Sequence, residues 1–342
     1  MKKHKTALCL LFLILSNTAF TDENPAPVKY TGKTASLQEV IDNASPGAVI
    51  VCDPQQQMEL SEPLTINKKL TLKGLSARLP KGLGKTSLVI VKARGVTLKD
   101  ITLHGNYDSV SQDNRAPLII IRKGDFRVEN CKFYDSTKDG VKICPEKKGN
   151  DIVGGTVKNI EAFRIGRDAV SISGGNRGQK VRDITVENVR LVKGYLRGAV
   201  EISDGTDNIT VRNVYAEKCP YAIDVQDHRG RSAPNTNITV EDVTAVNCKH
   251  IIRTANSNRG HSGLTLRKFK GITCKEPVRI SNTSDVTIEG LTIEKHHSRH
   301  RPVLLRNCSG VTIKNVSIEA TRFTRKLMRM KNCSDVEIED AP

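Results

Sequence analysis

The chain has 342 residues, with 54 Lys and Arg against 37 Asp and Glu and a formal net charge of +17. Hydrophobic residues make up 37%, aromatic residues only 4%, and Trp is absent, so the core must be aliphatic and thin. Regular hydrophobic alternation runs through the chain and excludes disorder. The one long apolar run, Ala7 to Leu15, is too short to cross a bilayer and excludes an integral membrane protein.

Lys2, Lys3 and Lys5 precede that run, and small or polar residues from Ser16 to Ala19 come after it. This is the layout of a secretory signal peptide cleaved near Ala19 to Thr21, so residues 1–21 are read as a leader and 22–342 as one domain. The expected location is secreted or periplasmic. Cleavage removes three lysines and no acidic residue, so the exported chain stays basic and favours acidic partners. Further on, Ser36, Leu37, Gln38 and Glu39 read as a capping box that opens a short amphipathic helix over Leu37–Ile41. That helix is placed to plug the N-terminal end of a stack of repeats.

The repeat unit is a turn residue, apolar, polar, apolar, two polar, apolar. It starts at Gly95, Asp125, Asp183, Asn208, Asn237, Asp285 and Gly310, with fainter copies at Lys69, Gly154, Gly263 and Asp335. Successive starts lie 22 to 30 residues apart, and each copy reads as a short strand, a polar bend and another short strand. That period, with no helical pattern inside it, predicts an all-β, right-handed parallel β-helix of about eleven coils. Coils stack at about 4.8 Å, so equivalent Val, Ile and Leu residues should form continuous inward ladders. Asn208, Asn237 and Asn315 begin glycosylation triplets, but their regular place at bends favours a structural role.

Eight cysteines remain after the leader, and Cys131, Cys219, Cys248 and Cys274 read as one column, with Cys308 and Cys333 as another. Stacking would bring them near disulfide distance; a ladder of buried thiols acting as small apolar residues is the favoured reading.

Alignment of the second apolar strand of each coil gives an outward column of Lys142, Ser171, Glu201, Asp224, Arg253 and Arg279, expected to face solvent. Three residues earlier stand Asp139, Asp168, Gly198, Tyr221 and His250, and next to these Lys138, Arg167 and Arg197. Stacked like charges repel, so a purely structural face has little reason to collect them. Insertions after these strands carry Lys147, Lys148, Arg177, Lys180, His228, Arg229, Arg231, Arg259 and His261, and would wall a groove for an extended anionic chain. Export, few aromatics and no nucleic-acid motif argue for acidic polysaccharide over nucleic acid.

From about residue 33 onward the chain resembles the secreted pectate-lyase-like superfamily, through the helix cap, the segment Glu62–Gly74 and the Asn and Gly residues at bends. That resemblance implies a β-helix acting on carbohydrate. Within it, polygalacturonases carry Asn-Thr-Asp, Asp-Asp, Gly-His-Gly and Arg-Ile-Lys on successive coils. Here Ser136 to Gly140 keeps Asp139, and Gly166-Arg167-Asp168 keeps Asp168, while Arg197 stands for the histidine. An arginine beside Asp168 is expected to keep it ionised, which counts against an acid for hydrolysis. Mannuronan epimerases carry Tyr-Gly-x-Asp-Pro-His; here Tyr221 and Asp224 match, and His228 falls two residues late.

Proton removal beside a uronate carboxylate needs a cation for that carboxylate and a nearby base. The residues therefore favour lyase-type β-elimination, with polygalacturonase-like hydrolysis, epimerisation and non-catalytic glycan binding as the alternatives. The candidate catalytic residues are Asp139, Asp168, Tyr221, Asp224 and His228, with Tyr221 or His228 as base or acid. Lys142, Arg167, Arg197, Arg253 and Arg279 are the candidate substrate-binding residues. No cofactor is required, although Asp139, Asp168, Glu201 and Asp224 offer hard oxygens that suit Ca²⁺. The protein is expected to work as a monomer.

Overall fold

A computed structural model describes residues 26–32, 36–109, 115–146, 148–175, 178–228, 233–255, 260–320 and 327–339. The leader expected at residues 1–21 lies outside the described residues, as do Lys147, Arg177, Arg229, Arg231 and Arg259. The chain winds as a right-handed parallel β-helix of about 11 coils, in which every paired strand runs parallel to its neighbour.

The turn residue of the repeat explains why the chain bends where it does. Gly95, Asp125, Gly154, Asp183, Asn208, Asn237, Gly263, Asp285, Gly310 and Asp335 all have φ between 51° and 75°. Only Gly, and at modest cost Asn or Asp, adopts this left-handed conformation routinely. A second left-handed column, Asp100, Asn130, Asn159, Asn188, Asn213 and Asp242, lies five residues further into each coil. Its side chains hydrogen-bond up the axis: the amide of Asn130 donates to Asp100 at 2.9 Å, Asn159 to Asn130 at 2.8 Å, and Asn188 to Asn159 at 2.7 Å. Asn208 and Asn237 likewise donate to Asp183 and Asp207, at 2.7 and 2.8 Å, and Asn315 is left-handed with φ 54°. Their structural reading therefore holds.

Between the bends, Leu72, Leu98, Val128, Val157, Val186, Val211, Val240, Leu266, Ile288 and Ile313 stack in register as one buried column. Each such side chain, fully buried, contributes about 1.5–3 kcal/mol. The helix Leu37–Asn43 closes the N-terminal end and buries Leu37 and Ile41. Its capping box forms as expected, with Glu39 N donating to Ser36 Oγ at 3.2 Å and Ser36 N to Glu39 Oε2 at 2.7 Å. Gln38 pairs with the backbone of Thr65 in both directions, at 2.8 and 3.1 Å, which ties the helix to the first coils. No helix among the described residues is long and apolar enough to cross a membrane.

All eight cysteines among the described residues are free thiols. Cys219, Cys248 and Cys274 do share a column, each directly after a left-handed residue, Lys218, Asn247 or Thr273. Cys131 does not join them. It comes after the left-handed Asn130 one bend earlier and stacks with Ile160 and Val189 instead.

Candidate functional site

The outward column Lys142, Ser171, Glu201, Asp224, Arg253, Arg279 forms in unbroken register. Its exposure, however, differs from expectation. Ser171 and Glu201 are fully buried and Asp224 is 1% exposed. The reason is length: Arg167 and Arg197, from the turns before two of these strands, reach over Glu201, and Arg253, from the next coil of the column, reaches back to Asp224. The acids form a lower layer and the guanidinium groups an upper one.

Glu201, on the strand Gly198–Ser203, is the hub of the lower layer. It accepts from Ser171 Oγ at 2.7 Å and Gln226 Nε2 at 2.6 Å, lies 3.2 Å from Arg167 Nη2, and contacts Arg197 Nη1. Gly198 permits this close stacking, since a Cβ there would lie 1.6 Å from the Tyr221 carbonyl oxygen. Above Glu201 sits His228, whose side chain is 33% exposed. Its Nδ1 is 2.7 Å from Asp204 Oδ2, and its backbone N–H donates to Asp204 Oδ1 at 2.7 Å. Ser173 Oγ also donates to Asp204, at 3.1 Å. Burial alone would raise the Asp204 carboxyl, but the His228 hydrogen bond and charge outweigh it and hold the group below the usual range. An ionised Asp204 accepts the hydrogen bond of Nδ1, which places Nε2 on the far side of the ring, 3.4 Å from Glu201 Oε1. There Nε2 meets Arg197 Nη2 at 3.0 Å.

Asp139 and Asp168 stack on adjacent coils, and both are completely buried. Arg167 is 3.7 Å from each. Gly198 N donates to Asp168 Oδ1 at 3.2 Å, while Asp168 Oδ2 and both Asp139 oxygens have no hydrogen-bond partner among the described residues. Two effects oppose the expectation that Arg167 keeps Asp168 ionised. Burial first, and the neighbouring Asp139 second, push its carboxyl up to about 7, against the opposing pull of Arg167 and Arg197.

Arg253 grips Asp224, two coils beyond Asp168, with two parallel hydrogen bonds of 2.9 and 2.8 Å. Its guanidinium carbon also lies 4.1 Å from the centre of the Tyr221 ring. Tyr221 in turn stacks on His250, with centroids 5.4 Å apart. Burial raises the Tyr221 hydroxyl above its usual range and lowers His250 to about 4. Neither is therefore suited to carry a proton off a substrate near neutral pH. Arg279 is less available than its column position implies. It is held 3.3 Å from Glu276 Oε2 and donates to the carbonyl of Val278 at 2.8 Å, with 13% of its side chain exposed. His261, expected in the groove wall, is buried and receives the backbone N–H of Asn235 at 3.2 Å.

The carboxylates do not make a Ca²⁺ cage. Asp224 is taken by Arg253 and Glu201 by two arginines, while Asp139 and Asp168 share Arg167 at 3.7 Å. No group of three or more His, Cys, Asp or Glu spaced for a metal ion occurs among the described residues. Sequence reasoning missed Asp204, the partner of His228. The signal available was its place in the strand-ending bend, one coil before His228, with φ 62°.

Neither a protein-family model nor a curated protein sequence matches the chain. Solved structures do match in fold. A Yersinia enterocolitica family 28 exopolygalacturonase superposes with TM-score 0.59 at 12% identity, covering 87% of this chain and 74% of its own. An Erwinia carotovora polygalacturonase gives TM-score 0.51 at 15% identity, over 94% and 99% of the two chains. The A-module of an Azotobacter vinelandii mannuronan C-5 epimerase gives 0.51 at 17%, over 88% and 93%. The chain is thus similar to these proteins in its right-handed parallel β-helix.

Proposed function

We propose that the protein is an exported carbohydrate-active β-helix that binds a uronate-containing polysaccharide on its guanidinium layer and cleaves it by β-elimination. The observation that carries this reading is the Asp204–His228–Arg197 arrangement, in which a partly exposed imidazole is oriented by a buried carboxylate and capped by an arginine. A substrate carboxylate draws Arg197 towards itself, and with Arg253 beside it neutralises the uronate charge. His228 Nε2, released from Arg197, takes the proton from the carbon next to that carboxylate. The C–H electrons form the new double bond as the C–O bond to the next sugar breaks. The leaving oxygen then receives the proton from the imidazolium. Three proteins of the same fold are named for galacturonan or mannuronan, which supports a uronate polymer as the substrate class.

Incubation with pectate, alginate and glycosaminoglycans should raise absorbance near roughly 235 nm, the unsaturated product of proton abstraction. His228→Ala should slow that rise by about 10²–10⁴-fold, as loss of a general base does. The raised carboxyl of Asp168 favours a second reading, in which it serves as the protonated acid of a hydrolase. New reducing ends without absorbance, lost in Asp168→Asn but kept in His228→Ala, would select it. Binding without any product would leave a glycan-binding protein.

A further inference from the structure

Aromatic residues are scarce in this chain, with six Tyr, seven Phe and no Trp. Among the described residues, most exposed or half-buried rings are already covered. Lys193 lies over Phe163 at 5.3 Å, Arg190 over Tyr215 at 4.2 Å, and His104 stacks on Tyr134 at 4.7 Å. Tyr195 is different. It is 43% exposed, beside a 42% exposed Leu196, and both directly precede Arg197 of the candidate site. One face of its ring is stacked by Tyr107, with centroids 4.1 Å apart and planes 9° from parallel.

That partner comes from far along the solenoid axis. Tyr107 belongs to the coil that begins at Gly95, and Tyr195 to the coil that begins at Asp183, three coils on. The short 3-10 turn Tyr107–Ser109 is pinned over the intervening turns by Tyr107 N donating to Asp135 O at 2.9 Å and by Asp108 on Arg164 at 2.7 Å. The Tyr195 ring is thereby held in a fixed plane, with apolar surface turned to solvent at the edge of a cationic site. The C–H-bearing face of a pyranose ring packs on such a surface, and the phenol hydroxyl at the rim stays wet.

We propose that Tyr195 is a sugar-stacking subsite. It holds the pyranose ring that neighbours the one whose carboxylate meets Arg197. This extends the uronate-polymer reading given above and rests on it for the identity of the sugar. The chemistry recognised at Tyr195 itself is uncharged.

The test monitors tyrosine emission, undisturbed in a chain without Trp, on titration with polygalacturonate, alginate, cellohexaose and maltohexaose. Tyr195→Ala should weaken binding of the acidic polymer by about tenfold without changing its salt dependence, and Tyr195→Phe should bind as the unmodified protein does. Tyr107→Ala, which removes the clamp but leaves the ring, should cost less than Tyr195→Ala. If Tyr195→Ala binds normally, or if Tyr107→Ala costs as much, the stack serves only to pin a loop and the subsite is overturned while the uronate reading stands. If the unmodified protein binds a neutral hexaose alone, and Tyr195→Ala loses it, the subsite stands and the uronate reading falls. Binding of none of the four probes sinks both. Should Tyr195→Ala fail to fold, saturation transfer from tyrosine ring protons to sugar C–H protons in the unmodified protein decides, and no transfer overturns the subsite.

Discussion

Two outward columns of the same solenoid use the same charged residues in opposite ways. On one, Lys99, Glu129, Lys158, Glu187, Arg212, Glu241, Arg267, Glu289, Lys314 and Glu339 alternate in sign coil by coil. Arg267 sits 3.1 Å from Glu241 and 3.3 Å from Glu289, with 47% of its side chain exposed. On the other, Glu201 and Asp224 lie side by side, then Arg253 and Arg279, so the signs are segregated along the axis and by depth. Alternation is what a stacked face does to satisfy itself. Segregation leaves cations at the surface with their counter-charges beneath, and this arrangement is suited to an anionic partner.

The sharpest way to break that contrast is Arg253→Ala. From the sequence, an outward arginine should be dispensable for folding. With Asp224 1% exposed and, among the described residues, hydrogen-bonded by that bidentate pair, loss of Arg253 leaves a buried carboxylate without it, and unfolding by denaturant should show a destabilisation of about 3–5 kcal/mol. Asp224→Asn in the same background should recover much of it. Equal stability of the single variant and the parent would mean that the two faces do not differ in kind.

Next in size is the pH dependence set by Asp168. Its carboxyl rises from 3.8 to about 7 on folding, so between those values the folded protein holds a proton that the unfolded chain has released. The contribution of Asp168 to stability should therefore be greatest below about pH 4, fall as pH rises towards 7, and level off above it. Asp168→Asn should flatten that slope in thermal unfolding measured across the range. A slope unchanged by the substitution would mean that burial and Asp139 do not outweigh Arg167.

Smaller effects are expected for salt and for the alternating face. Polymer binding should weaken from low ionic strength to 0.15 M, where the screening length is about 8 Å. Arg267→Ala, by contrast, should leave the unfolding midpoint where it was, because exposed pairs are already screened and solvated. A binding curve indifferent to salt, or a clear destabilisation by Arg267→Ala, would reverse the roles assigned to the two faces.

The fold was legible because its signals are local and repeated. A left-handed bend admits few residue types, so Asp125, Asp183, Asn208 and Asn237 mark their coils without help from distant contacts. Strand alternation then fixed the register of Lys142 through Arg279. Depth was not legible. Whether Glu201 meets water depends on where Arg167 and Arg197 lay their side chains, and these reach it from a neighbouring turn and coil. Asp204 escaped notice for a related reason, since its hydrogen bond to His228 joins bends on adjacent coils, outside the aligned strand column. The stack of Tyr107 on Tyr195 crosses three coils, a distance that no periodicity encodes.

The buried thiols have a use beyond packing. Cys52, Cys131, Cys219, Cys248, Cys274 and Cys308 are buried at intervals from the first coils to the last, while Cys144 and Cys333 are half-exposed. Burial pushes Cys52 up to about 11 and Cys131 and Cys274 up to about 12, so these thiols react with an alkylating reagent only when their own coil opens. The molecule thus carries a native set of position markers along its axis. Timed alkylation read by peptide mass would record the order in which coils breathe, without a single engineered label.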